Sequence, residues 1–248
     1  MTSLQQLKRS FQAGEKIDPS ALRPEILTSW QRSFTYGITK DTVDNRVLPP
    51  QALAARIRQR QRFHDVALPV ITDIYAFIKK SGFIMLLTDE DGYVTHMLGE
   101  GPVMQEALRN KLVPGCNRSE RCWGTNGIGT VLVTGQPLQV FGEEHYCQRS
   151  AWWVCSGAPI FAPDGSIHGT VCICGERDKV TSHTLGIAVA TADSISRQYK
   201  LQEAYDRLAA AQENLHVMIE NSASGLLLVD REQTIRKVNS RGARMLQC

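Results

Sequence analysis

The chain has 248 residues, 42% of them hydrophobic, with 28 basic against 25 acidic side chains and a formal charge of +3. That is enough apolar material for one large domain, or one domain and part of another, and the charge is too balanced for bulk electrostatics to assign a nucleic-acid partner. No run of eighteen apolar residues occurs, and Met1 is followed by Thr-Ser and then Gln-Gln instead of an apolar signal core. No membrane partner is therefore expected, and the expected location is the cytoplasm. Seven cysteines without an export signal argue against a disulfide framework and leave buried thiols, soft metal ligands or redox groups.

Residues 1–20 are polar without sustained periodicity and read as a mobile or loosely helical arm. Ile26, Leu27, Trp30 and Phe34 then fall at helical spacing, with Gly37 as the stop. After Pro49-Pro50, residues 51–80 read as a helical pair interrupted near Pro69, with Leu68, Ile71, Ile74, Tyr75 and Ile78 on apolar faces. The basic run from Arg56 to Arg62 covers one or two turns and reads as a solvated flank or a partner-contacting face. From Phe83 the period changes to that of strands: Phe83-Ile-Met-Leu-Leu-Thr, a turn at Asp89-Glu-Asp-Gly92, and Tyr93-Val-Thr-His-Met-Leu form a hairpin. Pro102 to Leu112 reads as a helix, and Asn126 to Thr134 as another with Thr125 or Asn126 as its cap. Gln139-Val-Phe, Ala158-Pro-Ile-Phe and Ile167 to Cys174 add three strands, the last two joined by Pro163-Asp-Gly-Ser. The expected class is α+β, a mostly antiparallel sheet flanked by helices.

Thr184 to Glu220 reads as one helix. Leu201, Tyr205, Leu208, Gln212, Leu215 and Ile219 follow alternating steps of four and three along it, the seam pattern of a coiled coil, with a plain amphipathic helix as the alternative. The last segment reads as strand, turn, strand and the start of a helix, too little to bury an apolar face alone. The chain is therefore expected to stop inside a second domain and to be a piece of a longer protein.

Trp123-Gly-Thr-Asn-Gly-Ile-Gly-Thr130, Gly142-Glu-Glu-His145, Trp153-Val-Cys-Ser-Gly-Ala-Pro-Ile160, Asp164-Gly165 with Gly169, and Ser182-His-Thr-Leu185 occur in that order. Together they resemble the GAF domain of sigma-54-dependent activators of the acetoin and dihydroxyacetone operon regulator family. Ser29-Trp30-Gln-Arg32 with Gly37 resembles that family's N-terminal helix, and Gly225-Leu-Leu-Leu-Val-Asp with Val238-Asn239 resembles the start of a PAS domain. The resemblance implies a helical N-terminal region at 1–80, a GAF sensory domain at 81–198, a coiled-coil-like linker at 199–218 and a truncated PAS domain at 219–248. It also implies a non-enzymatic sensory region, taking a small-molecule effector or a regulatory protein as partner and pairing as a homodimer along Leu201, Tyr205, Leu208, Leu215 and Ile219. No Gly-x-x-x-x-Gly-Lys-Ser/Thr loop or recognition helix is present. DNA and sigma-54 RNA polymerase would be reached only through a C-terminal half outside this chain.

Gly124-Thr-Asn-Gly-Ile-Gly has neither dinucleotide spacing nor a following lysine, so its glycines read as a tight loop, with Asn126 touching a ligand as the alternative. The candidate ligand pocket comprises Trp123, Thr125, Asn126, His145, Trp153 and Cys155, with Trp152 as a further wall; tryptophans that merely fill the core are the plainer reading. No residue is assigned a catalytic role, because a nucleophilic Cys155 needs an oriented base, and His145 beside Glu143 and Glu144 is the only nearby one. A metal or thiol redox sensor is the sharper alternative. It would draw on Cys116, Cys122, His145, Cys147, Cys155, Cys172 and Cys174, of which Cys172 and Cys174 point to one face of a strand. The spacing is not that of a zinc ribbon; no cofactor is required, and a metal ion is the one the residues suggest. His96, His168 and His183 read as strand-face or cap residues. Two further rivals are a docking platform for kinase subunits, which calls for a packed cavity and an apolar surface, and a GAF-type methionine sulfoxide reductase. The latter calls for an exposed, low-pKa thiolate with a resolving cysteine.

Overall fold

The computed structural model describes residues 3–39 and 46–247. They divide into two compact units, Met1–Tyr199 and Lys200–Cys248. Among the described residues no helix is long and apolar enough to cross a membrane.

The first unit is built on a five-stranded antiparallel sheet of order β2-β1-β5-β4-β3, formed by β1 (Phe83–Asp89), β2 (Val94–Leu98), β3 (Leu138–Phe141), β4 (Trp153–Phe161) and β5 (Ile167–Glu176). Side chains alternate across a strand, and here both sets are buried. Met85, Leu87, Val154, Ala158, Val171 and Ile173 face one way; Ile84, Leu86, Trp153, Cys155, Cys172 and Cys174 face the other. The first face is covered by α4 (Gln61–Ile78) and the start of α8 (Ser182–Glu220), through Phe63, Ala67, Ile71, Ala188, Ala192 and Ile195. The second is covered by α5 (Gly101–Arg109) and the loop segments after it. The α+β expectation and the hairpin at Asp89-Gly92 both hold, with Gly92 at φ 82° completing the turn. Strand β4 begins at Trp153, five residues before the expected start, and this brings Cys155 into the sheet.

The expected break at Pro69 falls instead at Arg60, whose φ of −118° and ψ of 27° separate α3 (Pro50–Gln59) from α4, while Pro69 lies inside α4. An internal proline costs about 3 kcal/mol. Burial of Phe63, Val70 and Ile71 on the sheet contributes about 1.5–3 kcal/mol each and outweighs it. The basic run is held within the chain: the Arg56 Nε donates to Asp89 at 2.8 Å, and Arg56 and Arg60 also pair with Asp91 and Glu90 of the hairpin turn.

Of the two readings of the N-terminal residues, a mobile or a loosely helical arm, the helical one holds, with more order than expected. Leu4–Gln12 is a capped helix, α1, and its Leu4, Leu7 and Phe11 pack with α2 (Pro24–Thr35) in a cluster around Trp30 and Tyr146. The spacing of Leu4, Leu7 and Phe11, three and then four apart, is a helical face that the surrounding glutamines and charges obscured.

In the second unit the end of α8 is followed by the hairpin β6 (Leu227–Val229) and β7 (Ile235–Val238) and by α9 (Ser240–Leu246), in the expected order. Buried Asn239 knits it together. Its amide donates to the Ile219 and Ser224 carbonyls, and its oxygen accepts from the Leu226 and Gly242 amides.

Candidate functional site

The register of β4 on β5 sets Cys155 opposite Cys174 and Gly157 opposite Cys172. All three thiols emerge on the second face of the sheet. The Cys174 sulfur lies 2.8 Å from that of Cys155 and 3.4 Å from that of Cys172. The loop holding Gly127 lies directly over them: a β-carbon on Gly157 would stand 1.8 Å from the Gly127 carbonyl oxygen, so only glycine permits this approach. Asn126 fixes the loop by accepting from the Ile128 and Gly129 amides and donating to the Arg118 and Gly124 carbonyls. The result is a cup whose floor is the three cysteines and whose walls include Leu86, Trp123 and Trp153. Its free volume of about 30 Å³ accommodates a group the size of a water and not a metabolite of many atoms.

Two polar residues line this cup, each with a buried nitrogen that makes no hydrogen bond of ordinary geometry among the described residues. Arg118, only 4% exposed, stacks 3.6 Å from the Trp123 ring and donates through one terminal nitrogen to the Asn110 carbonyl. Its other terminal nitrogen has no partner, and no carboxylate pairs with it among the described residues. His145, 1% exposed, donates from Nδ1 to the Gly142 carbonyl at 2.9 Å, and its Nε2 is unpartnered. The Cys155 thiol is pulled well below its ordinary value, first by hydrogen bonds from Cys172 and Cys174 and then by the His145 ring, with burial opposing. Cys172 is pushed well up, chiefly by its bond to Cys155, and Cys174 chiefly by burial. Burial lowers the pKa of Arg118 as well. A buried cation without a counter-charge is costly.

The N-terminal helices hold the segment that carries His145. Lys8 donates to the Glu143 carboxylate at 2.6 Å and to the His145 carbonyl at 3.1 Å, and Gln12 donates to the Tyr146 carbonyl. The Trp30 indole donates to the Glu144 carbonyl, and Arg23 grips the Glu144 carboxylate with two nitrogens. On the other side, Arg32 makes a two-pronged bond to buried Glu120, which also accepts from Ser29. Residues 4–35 thus act as a brace for the cup.

Of the residues expected in a pocket, Trp123, Asn126, His145, Trp153 and Cys155 line the cup, and Asn126 does so with its amide already fully bonded. Thr125 is buried in a hydroxyl network with Ser29 and Ser33 and belongs to the brace. Trp152 is exposed, does not line the cup, and its ring stands edge-on to that of Trp153. Of the expected metal set, Cys155, Cys172 and Cys174 come together. Cys116 is in the apolar wall, Cys147 packs in the Trp30 cluster, and Cys122 is half-buried on the short α6 (Glu120–Trp123). The spacings could not separate these two groups, because only the β4–β5 register does so. Arg118 was missed: nothing marks one arginine in Cys116-Asn-Arg-Ser as buried. A reductase needs an exposed thiolate, and the Cys155, Cys172 and Cys174 thiols are all buried.

Fold and sequence together define the N-terminal region of a class of operon transcriptional activators. A "Signal-transduction and transcriptional-control protein" of Clostridium beijerinckii is 29% identical over 222 residues, 89% of this chain and 35% of that protein. The acetoin dehydrogenase operon transcriptional activator AcoR of Bacillus subtilis is 33% identical over 196 residues, 79% of this chain and 32% of that protein. The N-terminal region of Escherichia coli DhaR, solved in a complex with DhaL, has the same fold with a TM-score of 0.82 at 18% identity, over 91% of this chain and 77% of that one. The chain belongs to the family described as MimR, N-terminal domain, whose model matches residues 1–195. It spans about a third of the length of the curated relatives it matches. Those relatives are transcriptional regulators rather than enzymes.

Proposed function

We propose that the chain is the signal-receiving region of an operon transcriptional activator, with the cup as its input site. In this reading residues 81–198 are a GAF-type receptor braced by 1–80, and the helix through 199–218 passes the signal toward a PAS-type domain beginning at 219. The region works as a homodimer in the cytoplasm, and promoter DNA and sigma-54 RNA polymerase are engaged by parts beyond this chain. The observation that carries the reading is the pair of buried side-chain nitrogens without hydrogen-bond partners on Arg118 and His145, two residues that line the same cup. Such groups are retained at a cost in stability, and a ligand that satisfies them shifts the conformational balance of the protein around it.

The test is a chimera in which the chain replaces the matching region of the Bacillus subtilis activator ahead of a reporter operon. Arg118→Leu and His145→Ala should each change reporter output several-fold at unchanged protein level. Output indifferent to every substitution in the cup would overturn the reading. A second reading, docking of a regulatory protein, is supported by the DhaR region having been solved with DhaL. It expects a shift in sedimentation when DhaL is added, with the cup variants behaving as wild type.

A further inference from the structure

We propose that Cys155, Cys172 and Cys174, completed by His145, bind a single divalent ion of the zinc(II) or iron(II) kind at the floor of the cup, with Arg118 as counter-charge to the resulting anionic centre. This names the input chemistry of the site described above and rests on that reading only for its regulatory consequence.

Four features converge on the site. The three sulfurs lie within 4.8 Å of one another, from adjacent strands and on one face. A tetrahedral ion with metal–sulfur bonds of about 2.3 Å sets its sulfurs roughly 3.7–3.8 Å apart. The contacts of 2.8 and 3.4 Å open to that spacing by side-chain movements of about 1 Å or less. His145 lines the same cup but lies outside the 4.8 Å group that the three sulfurs form; its Nδ1–H is committed to the Gly142 carbonyl, so the lone pair is on Nε2, which would reach the ion by a shift of its ring toward the cluster. This pairing of a ligating ring with a carbonyl behind it is the usual outer-shell support of a metal-bound histidine. The donor set of thiolates and an imidazole suits zinc or iron and not the hard cations magnesium or calcium.

The fourth feature is charge. Binding turns three thiols into three thiolates; each sulfur and the neutral imidazole gives a lone pair to the ion, three protons leave to solvent, and no electron is transferred. The centre then carries one net negative charge. Arg118, buried and paired with no carboxylate among the described residues, lines the same cup and supplies one positive charge there. A guanidinium that no carboxylate pairs with among the described residues thereby faces a fixed negative centre.

The 248-residue chain, purified without oxygen or chelator, should carry close to one ion per chain by elemental analysis and native mass spectrometry, and the element found distinguishes zinc from iron. After stripping, cobalt(II) should restore it with thiolate-to-metal charge-transfer and tetrahedral ligand-field bands. Cys172→Ser and Cys174→Ser should weaken cobalt(II) binding by far more than tenfold, whereas Cys116→Ser and Cys147→Ser should leave it unchanged. Arg118→Leu should weaken it about tenfold, the range typical of outer-shell groups, with Arg118→Lys restoring most of the loss. The cobalt titration of the unaltered chain stands even if a variant fails to fold. A chain that takes up no cobalt(II), whether as three free thiols or lighter by two hydrogens as a Cys155–Cys174 disulfide, overturns the proposal, as does uptake untouched by the cup substitutions. A metal-loaded chain whose reporter output ignores the cup keeps the metal site and removes only its assignment as the input.

Discussion

The two faces of the sheet are made by the same strands and behave as different materials. On β5, Val171 and Ile173 turn toward α4 and α8 and join their apolar cluster, while Cys172 and Cys174 turn toward the cup that Arg118, His145 and Gly127 also line. The first face is stabilised by area removed from water. The second buries a guanidinium nitrogen and an imidazole nitrogen without partners, groups whose desolvation works against folding. Where one layer of a small domain tolerates that cost beside a layer that gives it ordinary stability, the tolerated face is the one to suspect of function.

Adjacent residues on one strand offer the sharpest way to break this contrast. Ile173→Ala should cost about 3–4 kcal/mol in urea unfolding, through lost burial and the cavity left behind. That loss should be the same with and without chelator. Cys172→Ala should cost only about 1 kcal/mol in chelated protein, as a small thiol is a modest hydrophobe. Equal losses for the two in chelator would show that the faces do not differ as described.

The brace gives the next effect. Glu120→Ala strips Arg32 and Ser29 of their shared buried acceptor and should cost about 2–3 kcal/mol, below the full range for a buried pair because Arg32 keeps some contact with solvent. Its particular mark would be weakened cobalt(II) binding, since α2 also bonds the segment that carries His145. Unfolding at the expected denaturant with cobalt binding unaltered would remove the brace from the account of the site.

The helix-covered face buries unsatisfied polar groups too, the Tyr75 hydroxyl and the His64 ring. His64 is fully buried with neither ring nitrogen bonded, its ring 5.1 Å from that of His96. Burial first, then the charges of His96 and Arg60, lower its pKa from 6.5 to about 4, with Asp65 and Glu90 opposing. The folded state therefore binds this proton less well than the unfolded chain. The associated stability is complete above about pH 6.5 and is lost as the pH falls toward 4, reaching about 2 kcal/mol at pH 5. His64→Phe should flatten that slope in unfolding measured from pH 7 to pH 5; an identical slope would mean other groups carry it.

Much of this fold was legible in the sequence where periodicity announced it: the hairpin at Asp89-Gly92 and the long α8. The helix expected from Asn126 starts at Gly129, as α7 (Gly129–Thr134) with Ile128 as its cap, while the Asn126 side chain accepts from the Ile128 and Gly129 amides just ahead of it. The misreadings share a cause. Pro69 could stay helical, and Leu4, Leu7 and Phe11 could order an otherwise polar segment, only because distant surfaces were there to receive them. The site was legible by half: the shared face of Cys172 and Cys174 follows from their spacing, but Cys155 joins them through strand register and Arg118 through tertiary burial, neither of which leaves a local trace.

The smallest effect on folding belongs to the far part of α8, and it extends the contrast between faces to a helix. Near its start α8 buries Ala188, Ala192 and Ile195. Beyond residue 200, Leu201, Tyr205, Leu208 and Leu215 are all more than half exposed, with Leu208 at 56%, yet they keep the four-and-three spacing of a seam. Exposed leucines at that spacing gain nothing within one chain, whereas burial against a second copy would contribute about 1.5–3 kcal/mol for each. Leu208→Lys should therefore shift unfolding of the monomer by less than about 0.5 kcal/mol. In sedimentation it should raise the dimer dissociation constant at least a hundredfold, since the pair loses two leucines and sets two ammonium groups against each other. A wild-type chain that sediments as a monomer, or a variant that dimerises equally well, would leave this apolar row without the partner proposed for it.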